Sequence, residues 1–135
     1  MDSVANLLIS QADKRPMYLQ IMEQVKQRVA IGDWAQGQPI PSIRQLAVDL
    51  GVSVITVKRA YLELEREGVI VTQHGRGSFV AENRDLGTRI REEELGQHLG
   101  QAARIGAQLG LGFEDLASRL RATCDRVADK KEEFV

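Results

Sequence analysis

Apolar residues recur at three- and four-residue spacing after Pro16. Tyr18, Ile21, Met22, Val25 and Val29 share one face, with Gln20, Glu23, Gln24, Lys26, Gln27 and Arg28 on the other, which predicts an amphipathic helix. Pro16 suits the first turn of that helix, where its missing N–H costs nothing, and Gly32 ends it. The run DWAQGQPIP reads as a loop, because its glycine and two prolines break any regular pattern. Ser42 followed by Gln45 is a capping-box pattern that opens a second helix, with Ile43, Leu46, Ala47 and Leu50 as its buried stripe. Gly51 suits the left-handed turn that stops it, and Val52 is expected to pack beneath. Ser53 caps a third helix, in which Val57, Ala60, Tyr61 and Leu64 share a face and which Gly68 closes.

Two helices joined by a tight glycine turn match the helix-turn-helix pattern. Val69 to Gln73 is rich in β-branched residues, HGRG supplies a turn, and Ser78 to Ala81 gives a second extended run, together a hairpin with a basic tip. From about Arg84 the texture changes: Leu95, Leu99, Ala102, Gly106 and Leu109 recur at helical spacing, and Gly110 to Gly112 breaks the chain. A last helix carries Phe113, Leu116, Ala117, Leu120, Cys124 and Val127 on one side, with Arg119, Arg121, Arg126, Lys130 and Lys131 mostly elsewhere. The predicted fold class is mainly α with a small β-hairpin: a winged helix-turn-helix domain over 1–83, then a two-helix C-terminal dimerisation hairpin over 84–135. Such a hairpin is too small to bury both faces alone. It is expected to pair with its copy in a second subunit through Leu95, Leu99, Ala102, Leu109, Phe113, Leu116, Leu120 and Val127.

Composition narrows the function classes. A chain of 135 residues has room for one compact domain and a short accessory element, not for a second full ligand-binding domain. The opening MDSVANLLISQADKR lacks the basic start, apolar run and cleavage site of a leader, and no stretch reaches the roughly 18 apolar residues that span a bilayer. A cytoplasmic protein without membrane contact is expected. Cys124, the sole cysteine, excludes an internal disulfide and a cysteine-pair zinc site, and its helical apolar position reads as a small buried hydrophobe. His74 and His98 cannot make a metal site by themselves. No nucleophile–base pairing or phosphate-cradling glycine loop stands out, so neither enzyme activity nor a cofactor is expected.

The net charge of −1 runs against nucleic-acid binding, but its distribution does not. Between Ser42 and Tyr61, Arg44, Lys58 and Arg59 face only Asp49, whereas Glu63, Glu65 and Glu67 cluster afterwards. With Val57 at the centre of the buried face, a turn of about 100° per residue places Thr56, Arg59 and Ile55 on the outer side of the third helix. An arginine there can pair with guanine or neutralise phosphate, and Ile55 or Val54 can pack on a thymine methyl. Lys58, on the flank, suits a phosphate; taken singly, Lys58 and Arg59 would also pass for a solvated helix face. Arg44 sits at a helix start, where the dipole disfavours cations, which suggests an external partner or, as the plain alternative, pairing with Asp49. At the hairpin tip Gly75 and Gly77 permit close backbone approach, and Arg76 can reach a minor groove or a phosphate.

The segments PMYLQIMEQVKQRVAIGDW, IPSIRQLAVDLGVSVITVKRAYLELEREGVI and HGRGSFV together resemble the GntR family of bacterial regulators, and within it the YtrA-like subfamily. The resemblance covers roughly Pro16 to Val80. It implies contacts to double-stranded DNA from Arg44, from Ser53, Thr56, Lys58 and Arg59, and from His74, Gly75 and Arg76. It also implies a homodimer that represses from an inverted-repeat operator. Many relatives carry an arginine or another polar residue just after the position of Ser53, where this chain has Val54 and Ile55. A winged helix serving as a protein-interaction module is the alternative that the near-neutral charge keeps open. A small-molecule effector of unspecified chemistry could bind between the hairpins of a dimer.

Overall fold

The computed structural model describes residues 7–10 and 12–133, with side chains to 130. The rest of the opening run and the side chain of Lys131 lie outside the described residues. The elements run α1 (Met17–Ala30), α2 (Ile43–Leu50), α3 (Val54–Arg66), β1 (Ile70–Gln73), β2 (Gly77–Val80), α4 (Leu86–Gln108) and α5 (Phe113–Glu133). They divide into two compact units, the first ending at Glu92 and the second beginning at Glu93.

In the first unit α3 is the central element, packed on α1, on α2 and on β1. Its inner face, Val57, Ala60, Tyr61 and Leu64, joins Ile21 and Val25 of α1, Leu46 and Ala47 of α2, and Ile70 and Val80 of the hairpin in one buried cluster. The helix-turn-helix corner is closed by Gly51, whose φ of +67° lies where a Cβ would be strained. There the Val52 N–H reaches the Ala47 carbonyl at 3.1 Å, seating Val52 against the core. The hairpin pairs Ile70 with Val80 and Gln73 with Gly77, so the turn projects His74, Gly75 and Arg76.

Several details differ from the sequence expectations. Pro16 is the cap residue just outside α1 rather than part of its first turn. The capping box of α2 is half formed: the Gln45 N–H donates to Ser42 Oγ at 3.0 Å, but the Gln45 side chain donates to Asp49 Oδ1 at 2.8 Å instead of reaching back. Gln20, placed on the polar face of α1, is buried. Its amide oxygen accepts from the Ser10 N–H at 3.0 Å and its amide nitrogen donates to the Ser10 carbonyl at 3.3 Å, tying the preceding segment down. The run read as a loop before α2 buries Trp34 and Ile40 and pairs with β2: the Gly37 N–H donates to the Val80 carbonyl and the Val80 N–H to the Gln38 carbonyl, each at 2.9 Å. Prolines hid this extended stretch because strand signals weigh residue type, whereas the pairing is supplied by a segment far along the chain. Leu86 and Ile90 at the start of α4 also enter this core, so the first unit continues past Arg84.

In the second unit the rest of α4 and α5 form a helical hairpin turned by Gly110, with the Leu111 N–H bonded to the Gly106 carbonyl at 2.8 Å. Gly106 faces Leu116 so closely that a Cβ would lie 2.7 Å from Leu116 Cδ1. Glu114 and Asp115 in the first turn of α5 complement the helix dipole. Leu99, Ala102, Phe113, Leu116, Leu120 and Cys124 line an open groove of about 580 Å³. Cys124 is exposed, not buried as its apolar position suggested.

Candidate nucleic-acid interface

Ser53 starts α3 by accepting from the Thr56 N–H at 3.1 Å, the side-chain cap that an exposed helix start needs. Because Val57, Ala60, Tyr61 and Leu64 lock the opposite side into the core, the outer side of α3 is presented to solvent. Ile55 is 79% exposed there, and Val54, Lys58 and Arg59 are exposed beside it. Thr56 stands on the flank, half-buried, and its hydroxyl shares a 2.8 Å hydrogen bond with the Ser53 hydroxyl. A residue next to Val57 is turned only about 100° from it, so Thr56 belongs to the edge of the outer face, as Lys58 does on the other edge.

Arg44, His74, Gly75 and Arg76 are all exposed. The alternative partner for Arg44 is not used: Asp49 accepts from Gln45, and among the described residues no ion pair engages Arg44, Lys58 or Arg76. The acids in the second half of the helix and just after it are engaged. Glu63 pairs with Arg66, Glu67 with Lys26, and Glu65 accepts from the Thr72 hydroxyl at 2.7 Å, which also fastens the first strand of the hairpin to α3. The near-zero net charge thus includes carboxylates already engaged within the chain, Glu63 and Glu67 in ion pairs and Glu65 in a hydrogen bond, while Arg44, Lys58 and Arg76 stay outside the ion pairs of the described residues. Such cations are what a polyanion can use.

Arg59 has a partner that sequence reasoning does not assign. Its guanidinium carbon lies 3.9 Å from the centroid of the Tyr18 ring, and Nη2 donates to the Tyr18 hydroxyl at 3.2 Å. By spacing alone Tyr18 is only a member of the apolar face of α1. Its half-exposure and its cation contact have no signal in helical periodicity, because they depend on where α1 crosses α3. Arg89 is a second such residue: it donates to the Glu67 carbonyl at 2.8 Å and so satisfies the end of α3.

The expected dimerisation residues lie on the hairpin of the second unit. Leu95, Leu99, Ala102, Leu109, Phe113, Leu120 and Val127 are exposed, Phe113 to 79%, and Leu116 is half-buried. No helix among the described residues is long and apolar enough to cross a membrane.

A three-helix core, an exposed second helix of a helix-turn-helix and a two-stranded wing with a glycine-arginine tip define a winged helix-turn-helix protein. Residues 17–80 match the family described as "Bacterial regulatory proteins, gntR family". Likeness extends to a solved structure titled YtrA from Sulfolobus acidocaldarius, a GntR-family transcription factor: 34% identity, covering 70% of this chain and 97% of that one, with a TM-score of 0.56. The HTH-type transcriptional repressor YtrA of Bacillus subtilis is 44% identical over 68 residues, 50% of this chain and 52% of that protein, about half its length. The AraR DNA-binding domain in complex with operator ORX1 is 28% identical, with a TM-score of 0.51, covering 56% of this chain and 95% of that one. The chain belongs to the GntR family.

Proposed function

We propose that this protein is a sequence-specific transcriptional regulator that grips operator DNA with α3 in the major groove and the wing tip on adjacent backbone or minor groove. The observation that carries the reading is the two-sidedness of α3: one side is sealed in the core, while the other offers Ile55, Lys58 and Arg59, and Arg44, Lys58 and Arg76 enter no ion pair among the described residues. Likeness to a domain solved on its operator supports it. In this reading Arg59 and Ile55 face bases, Thr56 and Lys58 meet the flanking strands, Ser53 lends its hydroxyl at the helix start, and Arg44, His74, Gly75 and Arg76 hold phosphates or the minor groove.

The exposed apolar side of the α4–α5 hairpin supports a dimer, in which a second copy would cover it through Leu99, Phe113, Leu116 and Leu120. A two-fold dimer binds an inverted repeat, and occupancy of that site represses; likeness to a named repressor supports this sign. The work is done in the cytoplasm and involves no catalytic step. Selection of bound sequences from random duplex DNA tests the proposal: paired half-sites with fixed spacing are expected, as is binding that weakens steeply with salt. Binding that ignores salt, or no enriched sequence, would instead favour a protein-interaction module. Ile55→Ala should lose preference for thymine at one half-site position.

A further inference from the structure

We propose that Tyr18 is the positioning residue for Arg59, its ring and hydroxyl holding the guanidinium on the outer side of α3 before DNA arrives. The inference rests on the reading that Arg59 contacts the duplex. The two residues are 41 positions apart, on α1 and α3, so their contact exists only once those helices have packed. The guanidinium lies over the ring at 3.9 Å and donates one N–H to the hydroxyl at 3.2 Å.

The chemistry of this partner matters. A carboxylate would fix the guanidinium but cancel much of its field; a tyrosine fixes it and leaves the positive charge intact for a polyanion. One N–H is directed at the Tyr18 hydroxyl, and the donors not spent on Tyr18 remain available for bonds to a base or phosphate. Ordering matters too. An unrestrained arginine loses its rotamer freedom at the moment of binding, while one already held by a neighbour has lost much of it during folding. Tyr18 is itself carried by a rigid element, since Ile21 and Val25 of α1 share the core with Val57 and Leu64 of α3.

The test uses the full chain and a duplex recovered by selection from random DNA. Tyr18→Leu keeps apolar bulk but removes ring and hydroxyl; Tyr18→Phe removes the hydroxyl alone. Tyr18→Leu is expected to weaken binding about 2- to 10-fold, the cost of ordering one rotamer-rich side chain at the moment of binding instead of during folding. It should relax base preference at the same positions as Arg59→Ala and change nothing further in an Arg59→Ala background, with Tyr18→Phe falling between. If Arg59→Ala leaves affinity and preference intact, the contact reading fails and this inference with it. If Arg59→Ala weakens binding but Tyr18→Leu is neutral, or adds its full effect to the double variant, the positioning role alone is overturned. Side-chain relaxation of the Arg59 Nε–H in the free wild-type chain gives a reading independent of variant folding. Greater order than at Arg44 is expected, and equal mobility refutes the restraint.

Discussion

Replacing Tyr61 by phenylalanine separates two contributions of one buried hydroxyl. Tyr61 is 3% exposed on the inner face of α3, and its O–H donates to the Pro41 carbonyl at 2.7 Å, joining α3 to the entrance of α2. Near neutral pH the loss of this bond should cost about 0.5–1.5 kcal/mol. For a domain of this size about 1 kcal/mol corresponds to a fall of roughly 4–8 °C in Tm. Burial also pushes the Tyr61 phenol well above its ordinary value near 10. The neutral form is thus favoured in the native state: the stabilisation is whole below pH 10 and drains as pH climbs from there toward the raised native value. One pH unit above the ordinary value this amounts to about 1.4 kcal/mol, enough to cancel the hydrogen bond. Urea titrations of both proteins at pH 8 and pH 11 should show wild type the more stable at pH 8 and the advantage abolished or reversed at pH 11. A stability difference that stays constant across that interval refutes the argument from burial.

Ser53→Ala should cost about 1 kcal/mol, the worth of an N-cap, seen as a lower urea midpoint with an unchanged slope. Gly51→Ala should destabilise by about 1–2 kcal/mol through left-handed backbone strain alone, since nothing lies within 4 Å of the added Cβ; Gly51→Asn should lose less, and equal melts for all three proteins would contradict this. Lys58→Gln should weaken binding to every duplex alike and lower the slope of log affinity against log salt by about one for the phosphate that Lys58 neutralises, whereas a change of preferred sequence would move Lys58 from phosphate to base.

The helix-turn-helix was legible because each of its parts is announced locally. Ser42, Gly51 and Ser53 act on backbone groups within a few residues, and the spacing of Val57, Ala60, Tyr61 and Leu64 commits a face before any partner is known. Exposure of Ile55, Lys58 and Arg59 then follows from the same wheel. Local pattern misled where a residue's fate rests with a distant segment. Gln20 reads as solvent-facing until the Ser10 backbone claims its amide, and Cys124 reads as buried although it is exposed.

Helix limits, turn chemistry, the inner face of α3 and the family likeness were thus written in residue order, since propensity, capping and periodicity act over a few neighbours. The crossing of α1 over α3 that sets Tyr18 beneath Arg59, the third extended segment beside β2, and the partners taken by Glu63, Glu65 and Glu67 were not. Those depend on which surfaces meet when the apolar faces are buried together. Burial is non-directional in its driving force, and only close packing of particular side chains selects one arrangement among many.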